Sequence, residues 1–317
     1  VDALQRVGDM KIAVLGASSF SGKAFVAHAL ELGVEVLQLT RSQGHDLNSG
    51  IDLIKNEVST FKPSHFVNFA ALNVVADSWK YFPDYYRMNV IGVANLAEAI
   101  RRIDSLEKFV QVSTPEVYGN SISGEINPDE RFNPSTPYAV SRAAADMHLQ
   151  ALHRTYGFPV CFTRTVNVYG PGQQPYRIVP KTVLKIARGE KLKLEGGGES
   201  RRSFIHVRDM AAGTMLAAQR GKPGLVYHFS TPEVTKIKTL VATICQTLGV
   251  DFKASVENVM DRPGKDRMYK LNWRLARHGL DWGPEISLED GLEETVDWFK
   301  AHAEDYKSHS LEYDHRA

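Results

Sequence analysis

Lys11-Ile12-Ala13-Val14-Leu15-Gly16-Ala17-Ser18-Ser19-Phe20-Ser21-Gly22 decides the fold. Its first five residues form an apolar run of strand length, and the stretch that continues to residue 32 is amphipathic with helical spacing. Between them Gly16 permits a tight turn, Gly22 lets the helix pack close to its strand, and the helix N-terminus faces the place a pyrophosphate would occupy. Strand, glycine turn and helix in this order form a dinucleotide cradle, with Gly16, Ser18, Ser19, Phe20 and Gly22 as its binding residues. Ser19 holds the middle position where glycine usually stands, and serine is small enough to fit and can donate to a phosphate. The competing reading is an ordinary strand-to-helix turn.

Outward from this turn, residues 34–39 read as the second strand and Thr40-Arg41-Ser42 follows it. An acidic residue here would bind the ribose diol of NAD. Arg41 with Ser42 can instead take a 2′-phosphate, which leans toward NADP, although arginine also stacks on adenine. Asp46-Leu47 begins the next turn, with Asp46 either at the adenine edge or in a plain surface loop. A helix over residues 51–61 leads to a strand over 65–69. Ala70-Ala71 comes next, small enough for backbone to approach a cofactor. Residues 81–102 form a second long helical stretch carrying Asn89. The alternation predicts an α/β fold, a doubly wound parallel sheet of the Rossmann type with a smaller C-terminal α/β substrate domain. The dinucleotide-binding domain spans 10–166, with 205–232 returning to it. The second domain takes 167–204 and 233–317, beginning at the turn-rich break Asn167-Val168-Tyr169-Gly170-Pro171-Gly172.

The chemistry lies between residues 113 and 142. Ser113-Thr114-Pro115-Glu116-Val117-Tyr118-Gly119 follows a buried strand that ends at Val112. In Pro134-Ser135-Thr136-Pro137-Tyr138-Ala139-Val140-Ser141-Arg142, Ser135 or Thr136 is the N-cap and Pro137 suits the first helical turn. Tyr138 and Arg142 then stand one turn apart on the same face. A phenol with an ordinary pKa near ~10 is a poor base, and a neighbouring cation favours the phenolate, bringing the pKa toward the working range. Thr114 can hold the substrate hydroxyl that Tyr138 deprotonates, and Glu116 is a second acid/base for an adjacent carbon. Singly these residues read as a solvated carboxylate and a core-capping tyrosine; as a set they read as a site.

The 317 residues carry a net charge of +1 with interspersed signs, which argues against a nucleic acid or a membrane surface as the main partner. Cys161 and Cys245 are too few for a disulfide framework or a metal motif. No apolar run approaches the ~20 residues that cross a bilayer, and residues 1–9 are too short and polar for a signal peptide, so a cytoplasmic protein is expected. No carboxylate cluster suggests a metal. Arg177, Arg202 and Arg262 are candidates to clamp a diphosphate directly. The apolar faces of the helices over 81–102 and 138–156 can pair with copies of themselves in a homodimer, and core packing explains them equally well.

With these residues in view the chain resembles the extended short-chain dehydrogenase/reductase family, and within it the nucleotide-sugar 4,6-dehydratases. The likeness rests on Gly16 to Gly22, Ala70-Ala71, Asn89, Thr114 with Glu116, Tyr138 with a base four residues on, Asn167-Val168-Tyr169-Gly170-Pro171, Arg202-Ser203-Phe204, and Asp261-Arg262-Pro263-Gly264 with Asp266-Arg267. The last motif is similar to dTDP-glucose 4,6-dehydratases; the threonine-x-glutamate is also similar to GDP-mannose 4,6-dehydratases and UDP-glucuronate decarboxylases. The resemblance implies a tightly bound NAD or NADP, a nucleotide-diphosphate-sugar substrate held in part by Asn167, and oxidation at C4 with Tyr138 as base. Glu116 then removes the C5 proton, and water leaves from C6. Other exits from the same oxidised sugar are a 5,6-dehydratase, an epimerase, a decarboxylase or a 4-dehydrogenase; a non-catalytic binding protein is the reading from another class. Three positions depart from the family pattern: Ser19 for glycine, Arg142 for lysine, and Pro115 for the aspartate that is thought to protonate the departing hydroxyl.

Overall fold

The computed structural model describes residues 10–119, 124–260 and 270–315. Lys11–Leu15 (β1) alternates Ile12 and Val14 on one side with Ala13 and Leu15 on the other, and both sets are buried in separate apolar cores. A strand buried on both faces belongs to a parallel sheet covered by helices. Phe20–Glu31 (α1), Glu35–Leu39 (β2), Ile51–Phe61 (α2), His65–Asn68 (β3), Lys108–Val112 (β4), Pro137–Tyr156 (α5), Val160–Thr165 (β5), Val207–Arg220 (α7) and Val226–Phe229 (β8) build that architecture. The six strands run in the order β8, β5, β4, β3, β1, β2, all parallel. The chain reverses its direction of winding between β1 and β3, and the crevice beyond the carboxyl ends of those two strands is where such a sheet binds its ligand.

Two of the sequence readings gain detail here. The stretch over 81–102 is helical, with Phe82–Tyr86 (α3) and Val93–Ile100 (α4) joined through a π-helical segment, Arg87–Gly92, which carries Asn89. The break at 167–172 contains a strand, Asn167–Tyr169 (β6), because Phe204–His206 (β7) lies alongside and pairs with it in parallel. Asp209 lies in the first turn of α7, and the N-cap place before that turn falls to another residue. His206 takes that place through its ring nitrogen, 3.4 Å from Arg208 N, since β7 runs straight into the helix, and the Asp209 carboxylate accepts from Ile286 N at 3.1 Å. A further apolar core joins Ile178–Ala187 (α6), Ile237–Leu248 (α8) and Leu288–Ala301 (α9) through Val183, Leu240, Ile244, Val296 and Phe299. No described helix is long and apolar enough to cross a membrane.

Candidate functional site

A cleft of about 1230 Å³ opens at the carboxyl ends of β1, β3 and β4 and continues between them and the α6, α8, α9 core. At its first end Gly16 has φ +79°, and a Cβ there would lie 2.9 Å from Ala70 N, so side chain and close approach are mutually exclusive. A Cβ on Gly22 would collide with the Gly16 carbonyl oxygen. Ser19 caps α1 by accepting from Gly22 N at 3.0 Å, which leaves its hydroxyl hydrogen to donate. Gly16, Ser18, Ser19 and Phe20 line the cleft; Gly22 lies behind it and acts through the packing of α1.

Arg41, Asp46 and Leu47 line the cleft, whereas Ser42 turns to the Thr40 hydroxyl, 3.2 Å away, and is exposed outside it. Arg41 Nε lies 3.0 Å from the Asp46 carboxylate, so the cation after β2 comes with an anion attached. Ala70 and Ala71 line the cleft and are held there by side chains below. Asn68 accepts from Ala70 N at 3.0 Å and donates to Gln111 at 3.0 Å. Asn89 is fully buried, accepts from Leu72 N and donates to Leu72 O and Ser141, each at 3.0 Å. It therefore braces the cofactor-side loop without lining the cleft, a position that the π-helical turn creates.

At the reactive end, Thr136 caps α5 through Ala139 N at 3.2 Å and starts the helix so that Tyr138 enters the cleft. Thr114 caps the short turn Pro115–Tyr118, accepting from Glu116 N at 3.3 Å, and Pro115 sits where no N–H is needed. The fold thus brings Thr114, Glu116, Tyr138 and Arg142 to one wall of the cleft. Burial dominates the Tyr138 phenol and pushes its pKa up, correcting the expectation that a cation alone would lower it. The Arg142 guanidinium and a hydrogen bond with Thr114 pull the other way, Glu116 adds to the rise, and Arg177 opposes it. Arg142 is itself buried and donates Nη2 to the Val112 carbonyl at the end of β4, while its Nε has no protein partner. A buried, partly unsatisfied guanidinium facing a cleft is costly, and a ligand oxygen would complete it.

Arg177 and Arg202 line the far half of the cleft, with Arg177 Nη2 3.2 Å from Asn73 Oδ1 and Arg202 donating to the Arg201 carbonyl at 2.8 Å. Asn167 lines it too, its amide donating to Ser203 O at 3.2 Å. Arg262 and the motif over residues 261–267 lie outside the described residues.

Sequence reasoning missed the support behind this wall. Asp146 Oδ2 accepts from Ser113 Oγ at 2.6 Å and pairs with Arg164 at 2.8 Å, both ionic side chains being fully buried. Arg164 also donates to the Tyr118 hydroxyl, which lies 2.8 Å from His228 Nε2. The network clamps β4, the Thr114 turn, α5, β5 and β8 together. Its signal was present: Tyr138, Arg142 and Asp146 recur every fourth residue along one face of α5. Sequence reasoning also passed over Tyr176, Lys181, Glu312 and Tyr313, which line the cleft from distant parts of the chain. Among the described residues no cluster could hold a metal ion.

The profile of the NAD dependent epimerase/dehydratase family matches residues 12–229. A trifunctional UDP-glucose 4,6-dehydratase/UDP-4-keto-6-deoxy-D-glucose 3,5-epimerase/UDP-4-keto-L-rhamnose-reductase of Arabidopsis thaliana is 30% identical over 256 residues, which cover 80% of this chain. The chain spans only 38% of the length of that relative. The solved structure of a dTDP-glucose 4,6-dehydratase from Streptomyces venezuelae with NAD bound superposes with a TM-score of 0.85 at 30% identity, covering 92% of this chain and 97% of that one. A UDP-glucose 4-epimerase from Thermotoga maritima, solved with UDP-glucose, gives a TM-score of 0.86 at 26% identity over 92% and 99% of the two chains. Similar backbones thus carry a dehydratase in one relative and an epimerase in the other, so the fold alone does not name the reaction.

Proposed function

The chain belongs to the NAD dependent epimerase/dehydratase family, and on that premise we propose that it is an NAD-dependent nucleotide-sugar 4,6-dehydratase. One observation carries the choice: Glu116 lines the same cleft as Thr114 and Tyr138. Inversion through a C4 ketone needs no carboxylate for C5, whereas elimination does.

The residues present fit a dinucleotide. Gly16, Ser18, Ser19 and Phe20 hold its pyrophosphate at the N-terminus of α1, Asp46 and Leu47 its adenosine, Ala70 and Ala71 its middle, and Arg142 Nε a ribose oxygen. Asp46 favours a ribose hydroxyl and repels a 2′-phosphate, and with Arg41 already paired to it we assign NAD over NADP. When bound, NAD would supply the hydride acceptor for C4 and the hydride donor for C6, C5 taking a proton from solvent as C6 receives the hydride.

Thr114 holds the 4-hydroxyl and Tyr138 takes its proton, with Arg142 stabilising the phenolate. The 4-ketone makes the C5 proton acidic and Glu116 removes it. Pro115 has no proton to give, so protonated Glu116 returns its proton to the departing C6 hydroxyl, and water leaves. Arg177 and Arg202 from the far wall hold the diphosphate, with Asn167 beside the sugar.

The test is mass spectrometry after incubation with UDP-, dTDP-, CDP- and GDP-hexoses in deuterated water. The expected product has lost one water and retains one deuterium, and NAD is the nucleotide released on denaturation. A product of unchanged mass with C4 inverted identifies an epimerase instead. A second copy of the chain is the proposed protein partner. Ile91, Val140 and Met147 are large apolar side chains left exposed on the Arg87–Gly92 segment and α5, a surface suited to self-association. Light scattering at twice the chain mass supports that assembly, and a monomer mass removes it.

A further inference from the structure

We propose that residues 311–315 form a strap across the mouth of the cleft and that Tyr313 within it is a wall of the sugar subsite. This rests on the nucleotide-sugar reading above and adds a residue to it that no motif marks.

The strap has a foot on each side. Leu311 is buried in the α6, α8, α9 core, and Arg188 holds the approach to it by donating to His309 O at 2.8 Å. At the other end the His315 ring stacks on Tyr81 with centroids 4.0 Å apart and planes 5° from parallel, and its Nε2 lies 3.2 Å from Asp84 Oδ2 on α3. The sheet half and the helical half are therefore bridged over the opening that separates them. Between the feet, Glu312 pairs with Lys181 at 2.6 Å, and Glu312, Tyr313 and Lys181 all line the cleft.

Tyr313 lines the cleft beside Tyr176 and within the field of Arg177. Its ring meets Tyr176 edge-on at 5.2 Å, and Arg177 lies over the Tyr176 ring at 5.3 Å. Arg177 acts electrostatically on Tyr313 and on Tyr138 alike. Tyr85, which meets Tyr138 edge-on at 6.3 Å, stands 6.1 Å from the His315 ring, so the strap's far foot rests on the neighbour of the proposed base. A half-buried phenol offers a flat apolar face to sugar C–H groups and a hydroxyl to a sugar oxygen. A strap across the mouth narrows the access of water to an oxidised sugar, and its lifting would admit and release the ligand.

The experiment compares a hexosyl nucleotide with its matching nucleoside diphosphate, which lacks the sugar, by calorimetric titration at saturating NAD. In Tyr313→Ala the hexosyl nucleotide is expected to bind about tenfold more weakly, the scale of one aromatic contact, and the nucleoside diphosphate within about twofold of wild type. Tyr313→Phe, which keeps the ring and loses only the hydroxyl contact, weakens the hexosyl nucleotide less than Tyr313→Ala does, leaves the nucleoside diphosphate unchanged and controls for folding. His315→Ala speeds amide hydrogen exchange over residues 311–315. Unchanged hexosyl-nucleotide affinity in Tyr313→Ala, or an equal loss for both ligands, overturns the assignment of Tyr313, and unchanged exchange in His315→Ala overturns the strap. A wild-type chain that binds the hexosyl nucleotide but releases no water defeats the dehydratase reading and leaves the Tyr313 comparison valid. One that binds neither ligand overturns both.

Discussion

Tyr138→Phe loses turnover by about three orders of magnitude, within the range that a positioned general base contributes, and no longer reduces bound NAD when substrate is added. The phenol enters the cleft at the start of α5, hydrogen-bonded with Thr114 and one turn from Arg142. Burial holds its proton on, while Arg142, Thr114 and Arg177 favour its loss, so the active form is the one these three groups stabilise. Two signs follow. In the wild type kcat/KM rises with pH as the phenol deprotonates. In Arg142→Met the largest of the lowering influences is gone, and that rising limb moves to higher pH. Normal turnover in Tyr138→Phe would remove Tyr138 as the base.

Glu116→Gln is expected to separate the two halves of the reaction. Oxidation at C4 persists, seen as ultraviolet absorbance of reduced nicotinamide, while exchange of the C5 proton with deuterated water falls by a factor of about 10²–10⁴. The amide keeps the size of the carboxyl group and its place in the turn capped by Thr114, but it can neither accept the C5 proton nor carry it to the C6 hydroxyl. Pro115 next to it leaves no second acid in the turn to take over, which makes the loss steeper than in a site with two acids. Undiminished water loss in Glu116→Gln sinks the role given to that carboxylate. A variant in which C4 oxidation also disappears shows that Glu116 serves binding rather than the second step.

The parts of this protein legible in sequence are those whose physics is local. The strand, Gly16 turn and α1 were readable because apolar spacing, a residue tolerant of positive φ and a helix start lie within twelve consecutive residues. Tyr138 and Arg142 were readable because the helix period sets their common face, while the structure chose Thr136 over Ser135 as the cap. Sheet-level organisation followed from the alternation of elements, and six parallel strands are present in an order consistent with it.

Tertiary structure alone decided the rest. The sign of the Tyr138 shift depends on how deeply the sheet and its flanking helices bury the phenol, a quantity no window of sequence contains. Arg41 stands paired with Asp46 because the following turn folds that carboxylate back onto it. Asn89 proved a brace because the π-helical segment aims it at Leu72. Asp146 with Arg164, and Tyr313 with Tyr176, lie 18 and 137 residues apart in the chain and meet only because of strand order and the path of the chain after α9. Sequence by itself determined the periods, the turns and the chemical inventory of this protein, because backbone sterics and side-chain spacing act between near neighbours. Which of those groups are buried, paired or facing the cleft was decided by contacts between distant segments, whose energies exist only once the sheet has brought them together.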